Sequence, residues 1–219
     1  SARMLTRYDA WTNMLRCTTA AFAGAIGGAD IVTVRPFNSA LGIPEELGRR
    51  IARNTQIIAM EESNLGRVAD PAGGAWFTET FAEDLANAAW AEFQQIEQDG
   101  GFAASLLSGA FQARVATIRD ARAKDIAKRK VPITGVSEFP LLEEIAAPVA
   151  ELVKPKPAPT APGMAETCLP FTPIHLAAPF EALRDTAAAA KKEPAIFLAT
   201  LGPVAEHSGR ADFARNLFA

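Results

Sequence analysis

Four prolines within ten residues, in Lys154-Pro-Lys-Pro-Ala-Pro-Thr-Ala-Pro-Gly163, set the first constraint on this chain. Each proline ring fixes φ and removes a backbone donor, so neither a helix interior nor an inner strand runs through such a stretch. The segment reads as an extended, semi-rigid linker crossing a surface. It divides the 219 residues into a long part, 1–150, a linker region, 151–175, and a short part, 176–219.

The long part is patterned for helices. Asp9 reads as an N-cap, and Trp11, Leu15, Thr18, Phe22 and Ile26 recur at helical spacing until Gly27-Gly28. Ile31-Val32-Thr33-Val34 is a short β-branched run and reads as a buried strand. The order helix, glycine turn, strand suits a βα barrel or a doubly wound sheet. Pro44 is expected to open a second helix carrying Leu47, Ile51, Thr55 and Ile58, fraying near Asn64-Leu65-Gly66. Thr80-Phe81-Ala82-Glu83 fits a capping box, followed by a helix that ends at Gly100-Gly101. A further helix spans about 109–130, and 132–136 forms a last short strand. Beyond the linker, 179–192 is expected to be helical, 194–201 an apolar strand and 205–218 a helix.

Charge and cysteine usage exclude several classes. With 22 basic and 25 acidic residues the formal charge is −3, which argues against a dedicated nucleic-acid binder or a polybasic membrane anchor. Apolar residues make up 49 %, ample for a core. No apolar run reaches the roughly 18–20 residues that cross a bilayer, and no signal peptide is evident at Ser1-Ala2-Arg3-Met4. Cys17 and Cys168 form neither a disulfide framework nor a zinc pattern, so a soluble, cytoplasmic protein with reduced thiols is expected. Both ends read as cut, which makes the chain a fragment in expectation.

Catalytic sets are sparse. His175 and His207 are the two histidines, and no Ser-His-Asp or Cys-His arrangement is visible around them. The adjacent acids Glu45-Glu46, Glu61-Glu62 and Glu143-Glu144 point to different faces and read as solvated. Residues 114–130 carry seven basic and two acidic side chains, without the interleaved aromatics of a base-stacking surface; a solvated helix face is expected. The strand–loop–helix at 195–218 looks like the opening of a doubly wound domain, where ligands sit at the carboxyl ends of strands. Glu206, His207 and Gly209 on that loop invite a cofactor reading.

Three runs then carry a resemblance. Arg49-Arg-Ile-Ala-Arg-Asn-Thr-Gln56, Glu61-Glu62-Ser63 and Val68-Ala-Asp-Pro-Ala-Gly-Gly-Ala-Trp76, with Asp9-Ala-Trp-Thr-Asn-Met-Leu-Arg16 before them, resemble the late barrel portion of the methylmalonyl-CoA mutase family. The stretch 195–218 resembles the start of that family's cobalamin-binding domain. The resemblance implies an α/β fold: the C-terminal part of a (βα)8 TIM-type barrel, a linker, and the first βα unit of a doubly wound cobalamin-binding-like domain.

Two departures from the family pattern shape the functional expectation. Active members read His-Thr-Asn-x-x-x-Glu after the strand, with Asn and Glu on the adenosyl ribose; here Arg35 stands for the asparagine and Ser39 for the glutamate. Active members also read Lys-Met-Gly-x-Asp-x-His-x-x-Gly at the cobalamin loop. Here Thr200 replaces lysine, Val204 replaces aspartate, Glu206 occupies the histidine position, and His207 lies one residue late, between Gly202 and Gly209. The resemblance therefore implies a non-catalytic small subunit, with no catalytic, cofactor-binding or metal residue of its own. It would pair as a heterodimer with a catalytic large subunit that holds adenosylcobalamin and interconverts methylmalonyl-CoA and succinyl-CoA in propionate metabolism. Two other readings stay open at this point: an active or variant acyl-CoA mutase using His207, and a stand-alone interaction module using 114–130.

Overall fold

In the computed structural model, residues 2–141, 143–150, 167–190 and 195–218 are described. The proline-rich linker and Pro194 lie outside them. The fold is a helix-rich α/β arrangement with one small sheet.

Helix α1 spans Asn13–Ile26 and follows a 3-10 turn, Ala10–Thr12. Asp9 is not its cap: it adopts left-handed backbone geometry, φ 48°, and its carboxylate accepts the Thr12 hydroxyl at 2.6 Å. The free amides here are instead held by Glu144, whose oxygens accept Asp9 N–H at 2.8 Å and Ala10 N–H at 3.3 Å. The pair Glu143-Glu144 is thus not simply a solvated face. A carboxylate 135 residues away in sequence does the capping work expected of a neighbour.

Pro44 does not open α2. It lies in the two-residue strand β1, Ile43–Pro44, paired antiparallel with β2, Val149–Ala150. Helix α2 then spans Glu46–Ile57 and widens into a π-helical turn, Ile58–Glu62. Helix α3, Trp76–Gln98, begins four residues before the expected capping box, so Thr80 and Glu83 sit inside it. Glu79 reaches back to accept Gly74 N–H at 2.9 Å, and Gly74 takes the positive φ that the turn requires. The short helix α4, Phe102–Ser108, precedes α5, Ala110–Ala127, and Gly109 separates them at φ 82°. Two further helices follow among the described residues, α6 over Ala178–Ala188 and α7 over Val204–Phe218.

The strands expected at 31–34 and 195–201 are not strands. A strand satisfies its N–H and C=O groups on a neighbour, and among the described residues only β1 and β2 pair as a sheet. Apolar β-branched composition alone does not create that neighbour. The segment 132–136 forms a turn instead, with an isolated bridge between Thr134 and Glu138.

Among the described residues the buried apolar side chains form two small cores. Ala10, Phe37 and Ala147 pack with Trp11, Met14, Leu41 and Ile51, and the Trp11 and Phe37 rings stack at 5.0 Å. Ile133, Val136 and Ala177 pack with Leu176 and Phe180, tying the turn at 133–137 to the start of α6.

Candidate functional site

Asn13 organises the N-terminal loop. Its fully buried amide accepts Thr6 N–H at 3.0 Å and donates to Thr6 O at 2.8 Å and Phe37 O at 2.9 Å. Arg16 joins this knot through Asn13 Oδ1 at 2.9 Å and also donates to Thr134 O. Burial holds the Arg16 guanidinium below its ordinary pKa, with the Asp9 charge partly opposing that shift. Nearby, burial pushes the Cys17 thiol up, and its S–H donates to Arg35 O at 3.4 Å.

The segment 33–39, to which the resemblance assigns the ribose contacts, is absorbed into this packing. Phe37 and Asn38 are buried, and Asn38 donates to Pro148 O at 2.7 Å. The Arg35 carbonyl serves Cys17, and Ser39 N–H closes a turn onto Pro36 O at 3.1 Å. Arg35 lines a cavity of about 110 Å³ with Cys17, Val32 and Thr33. Ser39 does not line it.

At the other altered position, Gly202 takes a positive φ of 86° and α7 begins two residues later. Glu206 N–H donates to Pro203 O at 2.9 Å, closing the first turn. A Cβ on Gly202 would meet the Glu206 carboxylate at 3.0 Å, so that side chain folds back over the glycine. His207 is half-buried within α7, and its Nδ1 is buried without a hydrogen-bond partner among the described residues. Gly209 lies two residues along, with open space around it. A histidine that binds metal normally has its other ring nitrogen held by a carboxylate or carbonyl. Val204 offers no acceptor to an imidazole, and Nδ1 has no such partner among the described residues. No group of three or more His, Cys, Asp or Glu capable of holding a metal occurs among the described residues.

Sequence reasoning missed the densest polar cluster. Arg7 N–H and Nε donate to the two oxygens of buried Glu181 at 2.7 and 3.0 Å, and Arg7 Nη2 meets Asp185 at 2.6 Å. Tyr8 OH donates to Asp185 at 2.9 Å, and the Arg184 guanidinium lies 5.1 Å from the Tyr8 ring centre. Hydrogen bonding from Arg7, and then from Tyr8, holds the Asp185 carboxyl below its usual range. Burial first, then the bond to Asp185, pushes the Tyr8 phenol up. Arg7 borders cavities of about 280 Å³, with Tyr8, Leu41 and Glu144, and about 210 Å³, with His175 and Glu181. Both α6 carboxylates are engaged by cations or hydroxyls, so the cluster joins two distant segments. The partners lie 174 or more residues apart, and no local pattern signals such a pairing.

The basic stretch from 114 is partly an internal tie. Arg114 bridges Glu92 at 3.4 Å and Asp99 at 2.6 Å, binding α5 to the end of α3. The Arg114 hydrogen bond is the main reason that the Asp99 carboxyl is held down.

Comparison with known proteins gives these observations a family. The methylmalonyl-CoA mutase family model matches residues 1–158, and the chain belongs to that family. Among the relatives are two named methylmalonyl-CoA mutase small subunit. The Streptomyces virginiae protein is 47 % identical over 98 % of this chain and 34 % of its own length. That of Propionibacterium freudenreichii subsp. shermanii is 40 % identical over 97 % of this chain and 32 % of its own length. The methylmalonyl-CoA mutase of Escherichia coli is 36 % identical over 68 % of this chain and 21 % of its own. The chain spans about a third of the length of the small-subunit relatives that it matches.

Proposed function

We propose that this chain is part of a non-catalytic small subunit of an adenosylcobalamin-dependent methylmalonyl-CoA mutase. The observation that carries the reading is the small-subunit naming of relatives at 40–47 % identity over nearly the whole chain. The replaced side chains support it. Arg35 and Ser39 cannot reproduce an amide and a carboxylate on a ribose, and Glu206 cannot act as an imidazole toward cobalt. His207 lacks a partner that would orient its ring.

In this reading residues 1–150 form a late portion of the acyl-CoA mutase barrel, 151–175 a linker, and 176–219 the start of a degenerate cobalamin-type domain. The α/β assignment to a TIM-type barrel and a doubly wound unit comes from family likeness. The catalytic large subunit holds adenosylcobalamin, which supplies the radical chemistry. This chain supplies packing and interface. The absence of catalytic, cofactor and metal residues from this chain is part of the same proposal, as is cytoplasmic residence. Among the described residues no helix is long and apolar enough to cross a membrane.

Mixing the chain with cobalamin, desalting, and recording the visible spectrum tests the reading. A colourless protein fraction is expected. A retained corrin band that disappears in His207→Ala would replace this reading with a cobalamin-binding mutase.

A further inference from the structure

The segments on either side of the proline-rich linker meet at several places. Leu176 N–H donates to Arg3 O at 3.0 Å, one turn before Arg7 grips Glu181 and Asp185. Ala177, 1 % exposed, packs with Leu176 and Phe180 against Ile133 and Val136. Phe171 meets the Phe111 ring edge-on at 5.9 Å, and Gln112 Nε2 donates to Leu169 O at 3.1 Å. The end of α7 returns to the same turn that holds Ala177: Asn216 Oδ1 accepts Phe139 N–H at 2.6 Å, and its amide donates to Glu138.

Ala177 and Glu181 are the buried residues of 167–190, and residues before the linker cover both. They lie four apart, so they share one face at the start of α6, with Phe180 beside them. The apolar contacts supply attraction and the carboxylate supplies register. Arg7 presents its backbone N–H and its Nε to the two oxygens of Glu181, a geometry that a shifted helix cannot reproduce. A buried carboxylate without a cation is strongly disfavoured, so this face seats well only against Arg7. None of these contacts uses a residue of the linker.

We propose that the N-terminal loop and the turn at 133–139 form a socket for the chain's own segment 169–185, which stays seated when the linker is cut. The proline-rich stretch then acts as a strap that raises the local concentration of a segment able to bind by itself. The inference assigns α6 to the body before the linker and does not depend on the small-subunit reading.

A site-specific protease sequence inserted between Pro159 and Thr160 of the full chain tests it. After cleavage the two pieces are expected to co-elute in gel filtration at about 10 μM protein. They are expected to stay together in about 1 M salt, because buried pairs are screened little. Ala177→Asp puts a charge into the apolar contact, and Glu181→Gln turns an amide N–H₂ toward one Arg7 donor. Each is expected to weaken the association at least about tenfold. Leu183→Asp, at a side chain 69 % exposed on the opposite face, is expected to leave it unchanged. All three changes lie on the released piece, so the socket itself is the same protein in every comparison. Separation of the unsubstituted pieces overturns the proposal. So does retention of both Ala177→Asp and Glu181→Gln at full affinity, or release by Leu183→Asp as complete as by Ala177→Asp.

Discussion

Phe37 and Phe81 are the same side chain in opposite surroundings, 1 % and 59 % exposed. Phe37 lies in the N-terminal body, where loop, helix and the returning segment 144–150 close around it. Phe81 lies on α3, none of whose residues is buried. The difference teaches that irregular backbone with buried polar knots makes the best-packed part of the described molecule. The most regular element is the one held by its own hydrogen bonds. Helices gain most of their stability from tertiary packing, so α3, with no buried residue, is held mainly by its own backbone bonds.

Substitutions break or sharpen that comparison. Phe37→Ala removes a ring stacked on Trp11 and leaves a cavity; the expected loss is about 3–5 kcal/mol, read from the urea midpoint. Asn13→Ala orphans Thr6 N–H and the Thr6 and Phe37 carbonyls, and an expected loss of about 3 kcal/mol is measured in the same way. Gly135→Ala forces an L side chain into φ 81° against the Asp9 carboxylate, at an expected cost of about 1–2 kcal/mol.

Next in size is the joint between the N-terminal loop and α6. Tyr8 is the chain's single tyrosine, so phenolate absorbance reads it alone. Its midpoint is expected above the ordinary value of about 10, and Asp185→Asn is expected to lower it. Because the folded Tyr8 value is raised, its contribution is complete below about pH 10 and is lost as pH rises through the folded value. Asp185 is held down, so its contribution is complete above about pH 4 and is lost as pH falls through the folded value. The smallest expected effect is Phe81→Ser, within about 0.5 kcal/mol. A Phe81→Ser cost approaching that of Phe37→Ala would erase the contrast between the two regions.

Helix existence was legible in the sequence: α1, α2 and α3 follow apolar periodicity, α5, α6 and α7 fall where helices were expected at 109–130, 179–192 and 205–218, and the positive-φ glycines at 74, 109 and 202 mark turns. What governs strands was not legible, because Ile31–Val34 and 195–201 carry β composition without a pairing neighbour. The start of α3 was misread because Thr80 and Glu83 mimic a cap while Glu79, one turn nearer the glycines, does the binding. The altered residues 35, 39, 204 and 206 were visible as departures from a motif. The unpartnered His207 Nδ1 and the Arg7–Glu181–Asp185 cluster were not, since each depends on contacts made in space.

Asn38 and Gly48 face each other so closely that a Cβ at 48 would overlap the Asn38 amide. Mutational drift at these two sites is therefore not independent. A lineage that acquires a side chain at 48 has to move or shrink the residue at 38, and a sampled set of descendants would record the two as a correlated pair.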